Sequence, residues 1–86
     1  MTGDPTVEVK WGDANVDGKV DLSDAVAVLQ FVALPKKYAL TPQGEKNADV
    51  FENGSGISGK DALVIQMVDA KLVSEETLPL DELPSA

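Results

Sequence analysis

The sequence predicts a small all-α fold made of two loop–helix halves joined by a short middle helix. Three observations carry that expectation. Residues 13–24 place oxygen-bearing side chains at regular intervals and run straight into an apolar segment. The same loop and segment return, less regularly, at residues 47–68. Finally, 86 residues are few for a self-sufficient core. With no cysteine and no histidine, neither disulfides nor zinc can staple it, which leaves the acidic loops to do so.

The first loop has the spacing of an EF-hand-type calcium loop. Asp13, Asn15 and Asp17 stand at loop positions 1, 3 and 5, Asp21 at 9 and Asp24 at 12. A hard divalent cation takes six to eight oxygens at roughly 2.3–2.6 Å. Gly18, at position 6, allows the sharp turn around the ion. Lys19 then offers its backbone carbonyl, and its side chain points to solvent. Val20 anchors the loop to the core, and Asp21 binds directly or through water. Asp/Asn/Gly clusters are also ordinary turn residues. Here, however, every expected position is kept, and two carboxylates about 5 Å apart repel by roughly 3 kcal/mol at an effective dielectric near 20. A closed loop therefore calls for a cation.

Position 12 is Asp24, one methylene shorter than the usual bidentate Glu. The preceding residues 7–12 alternate and end in Gly12, which predicts an extended segment rather than an entering helix. The unit is a loop followed by a helix. That helix starts at Leu22 or Ser23, with Asp24 in its first turn, where a carboxylate suits the dipole. Ala25, Val28, Leu29 and Val32 form its expected buried face, and Pro35 ends it. Val26, Ala27, Gln30 and Phe31 are left over. Either they bury against the rest of the domain or they form a docking surface.

After the basic turn at residues 35–38, Thr41 reads as an N-cap and Pro42 as the first residue of a short middle helix or helical turn. The duplication then appears. Residues 47–50 echo 13–16, residues 56–61 echo 19–24, and residues 61–68 echo the first helix. From Asn47 to Asp61 the second loop has three residues more than the first. Asn47 and Asp49 fit positions 1 and 3, Ser58 position 9 and Asp61 position 12. Position 5 falls to Asn53 or Ser55, and Gly56 offers its carbonyl. Fewer carboxylates weaken the second loop's demand for a cation, so two calcium sites are expected, the first binding more tightly.

Leu78 and Leu80, in the acidic tail, are expected to clasp the domain near its N-terminal segment, with residues 81–86 loose. The expected organisation is an extended segment at 1–11 and one domain at 12–80. Within that domain lie a first repeat (12–34), a linker helix (35–46), a second repeat (47–73) and a clasp (74–80). Residues 1–5 read as the cut edge of a larger protein, or an artificial end, rather than a signal peptide. A net charge of −8 argues against nucleic acid and anionic membrane surfaces. No stretch approaches the about 20 apolar residues of a membrane span.

Two duplicated loop–helix motifs joined by a short helix resemble a dockerin module of the cellulosome. The resemblance covers residues 12–73. Its specific part is residues 12–24. The insertion in the second loop is similar to divergent, rumen-type dockerins. The resemblance implies a non-catalytic, extracellular adaptor that binds a cohesin on a scaffoldin or cell-surface protein. It also implies a partner-binding set: Leu22, Ser23, Val26, Ala27 and Gln30 in the first repeat, and Gly59, Lys60, Leu63, Val64 and Met67 in the second. Leu22-Ser23 and Gly59-Lys60 differ in size and charge, which predicts one dominant binding orientation.

Rival readings predict other features. A calmodulin-like calcium sensor needs entering helices and Glu at position 12. A calcium-stabilised structural module needs no dedicated partner. Glycoside hydrolysis could use two carboxylates, but here the carboxylates are committed to loops and a short chain leaves little cleft.

Overall fold

The computed structural model describes residues 9–52, 54 and 56–83. Among them the helices are α1 (Leu22–Ala33), α2 (Pro42–Ala48) and α3 (Gly59–Asp69), followed by a 3₁₀ turn at Glu75–Thr77. The described residues contain no named strand; an isolated parallel bridge joins Phe51 to Leu80. No described helix is long and apolar enough to cross a membrane.

Each main helix starts with the same device. Asp21 caps α1 by accepting from the Ser23 N–H, and Asp24 reaches back to the cap's own N–H. Ser58 and Asp61 repeat this at α3. Such reciprocal capping satisfies N–H groups that the first turn would otherwise leave open. It also turns the position-12 carboxylate of each repeat inward. Thr41 caps α2 with Pro42 at its first turn, as expected. α1 stops at Ala33, and Leu34 adopts a non-helical cap ahead of Pro35.

α1 and α3 pack against each other. Ala25 and Val28 from α1 meet Ala62, Val64, Ile65 and Val68 from α3, closed by Ala48, Val50, Phe51 and Leu78. The buried arc of α1 differs from the expected one. Leu29 and Val32 are exposed, whereas Phe31 is half-buried and Ala27 packs against the core. The rotation of α1 follows from Asp24: with that carboxylate turned into the loop, residues 28 and 31 follow it inward at helical spacing. Positions 22, 26 and 29 then face outward.

α2 lies against the first loop. A Cβ on Gly44 would collide with the Ala14 carbonyl, so glycine is required for this approach. The tail returns to the second loop: the Leu80 N–H donates to Val50 and its carbonyl accepts from Glu52, both at 2.8 Å. Leu80 thus clasps the second loop rather than the N-terminal segment. That segment is met by Glu75, whose carboxylate pairs with Lys10 at 3.0 Å.

Candidate functional site

The first loop closes on its own side chains. Asp13 accepts from the Asp17 N–H at 3.1 Å and the Gly18 N–H at 2.9 Å. Asp17 accepts from Lys19, and Asn15 from Asp17. Asp24 accepts from the Asn15 and Asp21 N–H groups at 3.2 and 2.8 Å. Val16 and Gly18 take left-handed backbone, φ 56° and 89°, which curls the chain inward. As a result Asp13, Asp17 and Asp24 each bring a carboxylate oxygen within 4.8 Å of the others. Three anionic oxygens at this spacing fit a hard divalent cation. The electrostatics agree. Burial pushes the Asp24 carboxyl up to about 6, with Asp13 and Asp17 adding to the rise against its hydrogen bonds to Asp21 and Asn15. Asp21, half-buried at the start of α1 and bonded to Ser23, is held below the usual carboxylate range.

The second loop follows the same backbone plan from a different start. Asp49 accepts from the Gly54 N–H at 2.9 Å, as Asp13 does from Gly18 five residues on. Glu52 and Gly54 take left-handed backbone, φ 49° and 98°, matching Val16 and Gly18. Asp61 accepts from Val50, Phe51 and Ser58, as Asp24 does from Asn15 and Asp21. Asp49 therefore stands at position 1, Phe51 at position 3 and Gly54 at position 6. The extra length shrinks to one residue between positions 6 and 9, around Gly56. Burial also raises the Asp61 carboxyl, with Asp49 contributing.

This register corrects the expected ligand set at Asn47. It lies in the last turn of α2, and its amide is committed to Lys10, Gln43 and the Asp13 carbonyl. The sequence echo 47–50 to 13–16 misled because Ala48 and Val50 resemble Ala14 and Val16, two residues out of step. Hydrogen-bond geometry, rather than composition, separates the two registers. Asn53 and Ser55 lie outside the described residues. Phe51, which sequence reasoning passed over, stands where the first loop has Asn15, yet is buried in the core.

Among the expected partner-binding residues, Leu22, Ser23, Val26 and Gln30 lie exposed on α1, and Gly59, Lys60 and Leu63 on α3. Val64 is corrected: it is fully buried, packed with Ile65 in the core. Ala27 and Met67 are half-buried. The outer face of α1 carries Leu22 at 53% exposure, Val26 at 45% and Leu29 at 44%, with Val32 at 43% beside them. This stripe, which includes the unexpected Leu29 and Val32, lies opposite the core.

These features define a class of protein: a duplicated loop–helix module with acidic loops and an apolar outer helix face. Residues 11–68 match the family described as Dockerin type I domain. The chain belongs to the dockerin type I family, whose members are non-catalytic modules that bind calcium. It is 50% identical over 74 residues to a xylanase/beta-glucanase of Ruminococcus flavefaciens. That match covers 77% of this chain but spans only 9% of the relative's length. A solved structure of "R. flavefaciens' third ScaB cohesin in complex with a group 1 dockerin" contains a chain 43% identical to this one, with a TM-score of 0.72. The match covers 85% of this chain and 99% of that one.

Proposed function

We propose that this chain holds calcium in both loops and docks onto a cohesin, chiefly through α1, so anchoring its parent protein to a secreted cellulosome. Asp13, Asn15, Asp17, the Lys19 carbonyl, Asp21 and Asp24 would hold the first ion. Asp49, Asn53, the Gly56 carbonyl, Ser58 and Asp61 would hold the second, with Ser55 the alternative at its centre. Bound calcium cancels the mutual repulsion of these carboxylates. The capping boxes then fix where α1 and α3 begin, and α1 presents its face already ordered.

The observation that carries this reading is the apolar stripe of Leu22, Val26, Leu29 and Val32 on the outside of α1. Aligning Asp24 with Asp61 sets these against Gly59, Leu63, Gln66 and Asp69. Three of the four apolar positions are lost in the second repeat. A partner that buries the α1 stripe would lose most of that contact after a half-turn, which supports one dominant orientation. Binding energy concentrates in a few buried apolar anchors.

The test is calcium-dependent binding to a panel of scaffoldin and cell-surface cohesins, by calorimetry. Val26→Asp is expected to weaken binding by about 100-fold, and the equivalent Leu63→Asp by less than about 5-fold, the difference between a central anchor and a peripheral contact. Both positions are exposed, so melting should barely change. Binding to no cohesin, with calcium still bound, would leave a calcium-stabilised structural module. Equal losses at the two positions would point to two orientations.

A further inference from the structure

Asn47 is 2% exposed, and every polar atom of its amide is engaged. Its Nδ2 donates to the Asp13 carbonyl at 2.9 Å. Its Oδ1 accepts from the Lys10 N–H at 3.0 Å and from the Gln43 side chain at 2.8 Å. Its own carbonyl accepts from the Gly12 N–H at 2.6 Å. Both residues that open the first loop are thus fastened to one residue of α2. A buried amide with both its nitrogen and its oxygen hydrogen-bonded resists displacement, because freeing a partner leaves a desolvated polar group.

The same residue lies two positions before Asp49, which opens the second loop. Between them Ala48 is fully buried. Immediately after, Val50 and Phe51 both donate to Asp61 at 2.9 Å, the carboxylate that closes the second loop. A continuous path of backbone and buried hydrogen bonds therefore runs from Asp13 through Asn47 and Asp49 to Asp61.

We propose that Asn47 is a positioning residue that couples the two calcium loops: fixing Asp13 around an ion fixes α2's end, and with it the start of the second loop. The proposal rests on the reading that both loops take calcium. Coupling of this kind is reciprocal, so an ion in either loop tightens the other. The test measures the coupling itself.

The position-6 glycines supply separate reporters, since Gly18 donates to Asp13 and Gly54 to Asp49. Calcium is titrated into the labelled full chain while the Gly18 and Gly54 amide signals are followed by NMR. Asp17→Ala disables the first loop. In the native background it should weaken the calcium response at Gly54 by about fivefold or more, a typical coupling between sites. In an Asn47→Ala background the same Asp17→Ala change should weaken it by less than about twofold. Asn47→Asp serves as the second variant, since it keeps an acceptor for Lys10 and Gln43 and loses the donor to Asp13. Circular dichroism in saturating calcium selects whichever variant stays folded. An equal weakening with and without Asn47, or none in the native chain, overturns the coupling. A Gly54 signal indifferent to millimolar calcium in the native chain overturns the two-site reading itself, and the coupling with it.

Discussion

The two acidic loops share a backbone and differ in what they hang on it. Both place a carboxylate at position 1 that grips the position-6 glycine, and both bend through left-handed backbone at positions 4 and 6. Both close with a buried aspartate that is also the inner half of a helix cap. Yet the first loop offers side-chain oxygens at positions 1, 3, 5, 9 and 12, while the second has Phe51 at position 3 and Ser58 at position 9. The second loop is held from outside instead, by Phe51 in the core and by Leu80 alongside its backbone. Loop shape can thus outlast the loss of ligands when packing takes over the closing role.

The largest test of that contrast is removal of calcium. At 100 times its dissociation constant, each ion adds about 2.7 kcal/mol, so two add about 5 kcal/mol. Excess chelator should lower the melting temperature by more than about 10 °C for a domain of this size. The loss should fall more heavily on amides of the first loop than of the second in hydrogen exchange, because the second retains its hydrophobic anchor. Equal deprotection of both loops would break the comparison.

Phe51→Ala probes the other side. Emptying a buried aromatic site costs about 3 kcal/mol or more. Thermal melting in saturating calcium should show this loss, with calcium affinity reduced more at Gly54 than at Gly18, where only the coupled part of the loss is felt. A variant that melted like the parent would mean that Phe51 does not brace the second loop.

Much of this contrast is legible in the sequence, for identifiable reasons. The first loop announces itself because ligand chemistry demands particular side chains at fixed intervals. Helix starts at Leu22 and Pro42 follow from local capping, which is encoded within four residues. Two things escaped. The rotation of α1 depends on Asp24 turning into its loop, a constraint that apolar periodicity does not contain, so Leu29 and Val32 were assigned to the wrong side. The second-loop register escaped because one-residue insertions move composition and hydrogen bonding out of step. The bond from Gly54 to Asp49, the left-handed backbone at Glu52 and Gly54, and the engagement of Asn47's amide in α2 together mark Asp49 as the loop's first residue.

The two closing aspartates also predict how pH acts on the metal-free chain. Burial raises Asp24 from 3.8 to about 6 and raises Asp61 in the same direction. Between those values the folded chain keeps a proton that the unfolded chain has lost. Metal-free stability should therefore be fullest, for these groups, below about pH 4 and decline as pH rises to about 6. Asp21, shifted the other way, acts only below its ordinary value of 3.8. Calcium should reverse the slope, since protons and metal compete for the same oxygens. Melting scans from pH 4 to 7, with and without calcium, check both signs. Asp24→Asn sharpens the point: it should flatten the first loop's part of the slope while abolishing its calcium response.

The smallest effect concerns how each loop's flank is tied down. Beside the first loop, the Lys10 side chain meets Glu75 at 3.0 Å, with both side chains more than 40% exposed. The Glu75 carboxylate raises the Lys10 ammonium above its ordinary value, but the pair is open to solvent. Exposed pairs of this kind contribute little and are screened by salt. Lys10→Ala should thus shift melting only slightly, and not at all in high salt, because the Lys10 N–H still donates to Asn47 through the backbone. Beside the second loop, Leu80 is tied by two backbone hydrogen bonds that salt cannot screen. Leu80→Pro, which deletes the N–H donated to Val50, should destabilise more than Lys10→Ala at every salt concentration. If Lys10→Ala proved the more damaging change, the exposed ion pair would be bracing the first loop, and the division between a ligand-held and a packing-held loop would fail.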